Sequence, residues 1–294
     1  MEKLLYYLLK PLAFLPLRAL YLLSDFIYII LYYILRYRKR VVDDNLRQCF
    51  PDMTVGRRKA VARQFYRNFA DYIFETIKLF HISDREMERR MIFENAEVID
   101  RLVAEGRSVA VYFSHCGNWE WAPSITLHSH TDGVRTAFCQ VYRPLKNRAF
   151  DSLMLMLRSR FGSVSLPKTT VLRRLIALRR DGFITVTGFM SDQKPSHGDP
   201  TLPLLFLGRP TAFITGTEEL ARRMKMAAVY WDMYKDSRGY YRIVTRVIAG
   251  DVSETAPGEV TRAYASMLQD TIMRNPSIWL WTPKRWKIPV TLPR

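Results

Sequence analysis

Ser108-Val109-Ala110-Val111-Tyr112-Phe113-Ser114-His115-Cys116-Gly117-Asn118-Trp119-Glu120 decides the reading of this chain. Its first six residues, β-branched and aromatic and entered from Glu105-Gly106, have the pattern of a buried strand. Gly117-Asn118 then turns the chain into a helix, with Asn118 as cap and Glu120 in the first turn. His115 therefore stands at a strand end, where the active sites of parallel sheets gather. Across such a turn Glu120, five residues on, can fold back onto the imidazole and fix its tautomer. It would also stabilise the imidazolium formed when the other ring nitrogen takes a proton from a hydroxyl. On position and chemistry alone a structural histidine is an equal reading, because this spacing recurs by chance.

Outward from that stretch, further strands are expected at residues 135–141, 183–189, 227–233 and 240–247. Helical apolar spacing covers 153–160, 170–180 and 217–226. Val61, Phe65, Phe69, Ile73 and Ile77 make residues 41–80 helical, with Asp52 or Thr54 as a start signal. Strands alternating with helices argue for a largely parallel sheet covered on both faces. The Pro- and Gly-containing residues 194–210 read as a long loop.

The N-terminal stretch is of another kind. Residues 4–35 are mostly Leu, Ile, Tyr and Phe and run into Arg36-Tyr37-Arg38-Lys39-Arg40. Lys10, Arg18 and Asp25, with Pro11 and Pro16, divide what would otherwise approach a membrane span of about 20 apolar residues. A membrane anchor over 1–40, spanning or half-buried, followed by one catalytic domain over 41–294, is the simplest organisation; an amphipathic helix belonging to the core is the alternative reading of the segment. The basic cluster puts that domain on the cytoplasmic side. The net charge of +17 favours anionic partners: nucleic acid, anionic lipid or an acidic carrier protein. Three irregularly spaced cysteines make neither a disulfide framework nor a zinc ribbon and suit a reducing compartment.

Ser114-His115-Cys116-Gly117-Asn118-Trp119-Glu120-Trp121 resembles the H-x4-D/E motif of the lysophospholipid acyltransferase superfamily, in the form found in lipid A secondary acyltransferases. Tyr142-Arg143-Pro144 with Asn147, Asp181-Gly182 through Asp192-Gln193, Thr217-Glu218-Glu219-Leu220-Ala221, and Trp279-Leu280-Trp281 with Lys284-Arg285-Trp286-Lys287 resemble that family's later blocks in order. The fold this resemblance implies is an α/β/α sandwich with a mostly parallel sheet, of the glycerol-3-phosphate acyltransferase type, behind an N-terminal membrane-anchoring helix.

It implies His115 as general base and Glu120 as its orienting partner. Arg143 is then suited to a phosphate of the acceptor or to charge developing on a thioester carbonyl. Asp192 would neutralise Arg143 or position a sugar hydroxyl, and Asn118 and Gln193 join them as substrate contacts. Lys284, Arg285 and Lys287, interleaved with tryptophans, suit a membrane interface or a phosphate, and equally a solvated basic tail packed by two core tryptophans. No cofactor and no metal are expected; the co-substrate is acyl carrier protein thioester, or acyl-CoA. The partners are acyl carrier protein and a membrane lipid acceptor, at the cytoplasmic face of the inner membrane. A glycerophospholipid, glycolipid or aminolipid is the alternative acceptor to a lipid A precursor. A nucleic-acid role has only the charge behind it, with no recognition motif. A Cys116 nucleophile is disfavoured because neighbours on extended chain face opposite ways.

Overall fold

A computed structural model describes residues 2–292; the outermost residues of the two assigned segments, Met1, Pro293 and Arg294, lie outside it. The expected strand is β2, Val109–Phe113, fully buried and central in a seven-stranded sheet, as an apolar run without alternation requires. Chain order before it is α1 (Glu2–Phe14), α2 (Leu17–Ile29) with a π-helical turn at Ile30–Ile34, α3 (Lys39–Cys49), α4 (Val55–Lys78), α5 (Asp84–Arg90), β1 (Met91–Glu94) and α6 (Glu97–Ala104). After it come the 3-10 helix Trp119–Leu127, β3 (Thr136–Tyr142), α7 (Arg148–Arg158), β4 (Val164–Pro167), α8 (Val171–Arg180) and β5 (Ile184–Met190). The chain closes with β6 (Thr201–Phe206), β7 (Arg209–Ile214), α9 (Gly216–Arg223), β8 (Ala227–Ser237), β9 (Tyr240–Ala249) and α10 (Glu259–Arg274).

The sheet order is β1-β9-β8-β2-β5-β3-β4. Every pairing in it is parallel except β8 with β9. That exception is dictated by chain length: two residues separate those strands, and a parallel crossover needs a dozen or more. The fold is thus mixed α/β on a mostly parallel sheet.

Two expectations change. Residues 194–210 are not one loop: they end in the antiparallel hairpin β6–β7, turned by Leu207 and Gly208 at φ 50° and 74°. Positive φ at both turn residues matches the twist of a tight hairpin. Pro203 and Pro210 concealed these strands, since proline is tolerated only where a ladder donor is not needed. The 41–80 helix is two helices, parted near Pro51, and Thr54 caps the second by accepting from the Arg57 amide.

The N-terminal helices are packed on the domain. α2 runs along α4, burying Leu17, Leu20, Ser24 and Tyr28 against it. The face of α4 that is buried carries Asp71, Glu75 and Lys78 among its apolar residues. Ser24 donates to Asp71 at 2.6 Å and Tyr21 to Glu75 at 3.0 Å.

Candidate active site

β2 and β5 are adjacent and parallel, with Phe113 opposite Met190. Two residues beyond each, at the carboxyl ends of the strands, stand His115 and Asp192. The register therefore brings them together: His115 Nδ1 lies 2.8 Å from Asp192 Oδ1, and the His115 amide donates to Oδ2 at 3.1 Å. Trp279 Nε1 donates to Oδ2 at 2.8 Å and Gln193 Nε2 at 3.1 Å. Asp192 is fully buried, while 23% of the His115 side chain is exposed, toward a cavity. Burial alone would raise the Asp192 pKa, but the charge and hydrogen bonds of His115 and the Trp279 N–H hold it below the usual carboxylate value. Burial alone would lower that of His115; the facing carboxylate outweighs it and leaves the imidazole above its ordinary value.

This corrects the expected pairing. No hydrogen bond joins Glu120 to the imidazole among the described residues; Glu120 is held by Arg158, Nε at 2.8 Å and Nη2 at 2.7 Å, with the Tyr72 hydroxyl at 3.5 Å. The 3-10 helix after Asn118 carries the carboxylate away from the ring and toward the last residue of α7. Arg158, which sequence reasoning missed, is mostly buried and lines the same cavity. Glu120 still acts on His115 at a distance as a second anion raising its pKa, an effect its Arg158 partner opposes. Trp119 is edge-on to His115 at 5.1 Å and stacked on Tyr72 at 4.2 Å.

Asp192 does not neutralise Arg143, which reaches Ser196 Oγ at 3.3 Å. Asn118 is no substrate contact either: it is wholly buried, makes no capping bond, and donates from Nδ2 to Glu75 Oε2 at 2.9 Å. Glu75 also accepts from Tyr241 at 2.8 Å, and its carbonyl from Trp121 Nε1 at 3.1 Å. Gly117, at φ +57°, passes so near Met233 and Tyr241 that a Cβ would meet them at 3.0 and 3.1 Å. The His115 loop is further pinned to the C-terminal segment by Gly117 N to Ile278 O at 2.9 Å and Leu280 N to His115 O at 3.0 Å.

Arg285 is likewise corrected. It is 3% exposed and donates to the carbonyls of Asp192 and Ala212, both at 2.7 Å, so it braces the site and meets no membrane. Burial draws its pKa down to about 10 against the pull of Asp192. Lys284 and Lys287 are exposed beside it. Burial pushes the Cys116 thiol up, the reverse of what a thiolate nucleophile needs.

The cavity has a volume of about 580 Å³, within the range of small-ligand sites. Its deep wall is apolar, built by Val111, Phe113, Ile125, Phe138 and Val186. Gly188 makes room for it, since a Cβ there would lie 2.9 Å from the Phe113 ring. Its exposed rim carries Arg143, Lys168 and Lys194, with Gln193 nearby. Lys168 is paired with Asp199 at 2.7 Å; Arg143 and Lys194 have no carboxylate partner among the described residues. The arrangement offers a proton acceptor at the junction of a greasy chamber and a cationic mouth.

Residues 3–288 match the family model described as bacterial lipid A biosynthesis acyltransferase. The chain is similar to the lipid A biosynthesis palmitoleoyltransferase of Escherichia coli, 23% identical over 258 residues, 86% of this chain and 80% of that protein. It is 24% identical to the lauroyltransferase of the same organism over 253 residues, 85% and 79% of the two chains. With a lipid A biosynthesis acyltransferase of Haemophilus influenzae it shares 22% over 239 residues, 81% and 72%.

Proposed function

Because the chain belongs to the bacterial lipid A biosynthesis acyltransferase family, and is therefore an acyltransferase, we propose that it moves a fatty acyl chain from an acyl carrier protein thioester to a hydroxyl of a lipid A precursor, at the cytoplasmic face of the inner membrane. The observation that carries the chemistry is His115, held at Nδ1 by buried Asp192 and open to an apolar cavity.

With Nδ1–H donated to Asp192, Nε2 is the basic nitrogen. It takes the acceptor's hydroxyl proton as that oxygen bonds to the thioester carbonyl carbon. The tetrahedral intermediate then expels the thiolate, which takes the proton back from the imidazolium and leaves as thiol. Asp192 stabilises the transient imidazolium, and Glu120 adds a second anion, itself held by Arg158. The acyl chain fits the apolar wall, and Arg143 and Lys194 at the rim suit an acceptor phosphate or the phosphate of a carrier's prosthetic arm. The net charge of +17 suits an acidic carrier and an anionic lipid alike.

Membranes containing His115→Ala should lose transfer of labelled acyl chains at unchanged protein level, and near-normal transfer would overturn the mechanism. Parallel assays with carrier-protein and coenzyme A thioesters decide the donor: faster turnover with the carrier is expected.

A further inference from the structure

Residues Leu17–Ile34 are apolar enough to cross a bilayer by length and composition, with a mean hydropathy of 1.5 over 18 residues. Their setting argues otherwise. Just before the segment, the Lys78 ammonium donates to the carbonyls of Ala13 and Leu15, both at 2.9 Å. Just after it, the Tyr66 hydroxyl donates to the carbonyl of Tyr37. Lys78 and Tyr66 belong to one helix, α4, so both ends of the apolar segment are fastened to the same side of the same domain. Between them Ser24 bonds Asp71, Tyr21 bonds Glu75, and Arg238 at the β8–β9 turn bridges Asp25 and Asp71, each at 2.7 Å. At Gly239 the turn comes so close that a Cβ would collide with the Tyr21 hydroxyl.

A spanning pose would have to carry Asp71, Glu75, Lys78 and Arg238 into hydrocarbon, or strip the helix off α4 and give up the bonds to Lys78, Asp71, Glu75 and Arg238 together with the apolar contacts of Leu17, Leu20 and Tyr28. Charged groups resist the first, and the loss of those polar and apolar contacts opposes the second. The opposite face tells what the helix is for. Leu22, Phe26, Ile29 and Tyr33 recur at helical spacing along it, 73%, 61%, 47% and 53% exposed, with Ile34 and Leu35 beyond them. Arg18, Arg36 and Arg40, all exposed, flank the ridge with the charge that anionic headgroups attract.

We propose that α2 is a membrane seat and not a membrane span: it lies in the plane of one anionic leaflet, its outward ridge sunk among the acyl chains, with α1, α4 and the catalytic domain on that same side. The inference rests on the reading of the protein as an enzyme of membrane lipid, and it fixes how the enzyme sits.

Cys49, Cys116 and Cys139 are all buried, so one introduced surface cysteine can be labelled selectively. In the full-length protein, Lys10→Cys and Arg40→Cys bracket the segment. In inverted inner-membrane vesicles, a membrane-impermeant maleimide should label both to the same extent, before permeabilisation and after. Labelling of one before and the other only after permeabilisation would mean the segment crosses, and would overturn the seat. Purified Leu22→Glu/Phe26→Glu should bind vesicles of phosphatidylethanolamine and phosphatidylglycerol at least about tenfold more weakly than the parent protein, since both charges would have to enter the leaflet. Unchanged binding would also overturn it. Acyl transfer is measured in the same labelled vesicles: loss of transfer with same-side labelling counts against the catalytic reading and leaves the seat standing.

Discussion

Replacing Asp192 by Asn removes one charge and no volume, and the structure predicts how the site fails. Oδ2 of Asp192 accepts from the His115 amide, Trp279 Nε1 and Gln193 Nε2, whereas Oδ1 faces only His115 Nδ1. An asparagine oxygen will take the position with three donors, which turns its NH2 toward Nδ1. Nδ1 then becomes an acceptor and the ring proton moves to Nε2, the nitrogen that must be free to act as base. Loss of the correct tautomer and of the countercharge should lower kcat about 10³–10⁴-fold. KM should change little, because Asp192 is fully buried and does not reach the cavity. The pH profile carries a second signature. A base works when deprotonated, so the parental rate rises with pH through the raised His115 pKa; without the carboxylate that pKa falls, and the residual rate should reach its plateau at lower pH. Transfer of radiolabelled acyl chains by the purified enzyme in detergent, followed across pH, reads both effects. A kcat within about threefold of the parent, or a larger loss and pH shift from Glu120→Gln than from Asp192→Asn, would refute Asp192 as the partner of His115.

Arg158→Ala strands the buried Glu120 carboxylate and should cost about 3–5 kcal/mol of stability, measured by denaturant unfolding, with activity lost as well. Asn118→Asp sets two carboxylates together and should lower kcat, whereas Glu75→Gln keeps an oxygen to accept from Asn118 and Tyr241 and should be tolerated; the double variant, which sets the new amide against the new carboxylate, should recover much of the loss if Glu75 positions the catalytic loop. Gly188→Ala pushes the Phe113 ring, at 2.9 Å from the new Cβ, and should shift preference toward shorter acyl donors in competition assays read by mass spectrometry.

Much of the sheet was legible because β2, β5 and the first part of β8 are continuous buried apolar runs and β9 alternates with the period of a strand: β2, β3, β5, β8 and β9 fall within a few residues of expectation. β1 and β4, four residues each, are too short for a pattern to declare itself. The site was legible as a set of residues more than as a set of contacts. His115, Glu120 and Asp192 were all singled out, yet the partner of the imidazole is set by the β2–β5 register, which no local spacing reports. Arg158 ends an amphipathic helix, where an arginine is ordinary for reasons of helix dipole alone. Glu75 was hidden by the apolar stripe of α4: the buried face is turned from Val61, Phe69 and Ile77 toward Ala62, Tyr66 and Ala70, and it takes Asp71, Glu75 and Lys78 inside with it. The corresponding signal lay in the apolar N-terminal segment, whose Tyr21, Ser24 and Asp25 needed polar partners somewhere. Arg285 shows the opposite error, since a basic residue between tryptophans read as interfacial and is a buried brace.

The central claim, that His115 carries acyl transfer to lipid A, is tested most directly by mass spectrometry of lipid A from a strain lacking this gene and complemented with the parent sequence or with His115→Ala. The parent should restore one acyl chain that the deletion strain lacks, and His115→Ala, present in the membrane at the parental level, should restore none. Full acylation with His115→Ala, or lipid A unaltered by the deletion, would contradict the account.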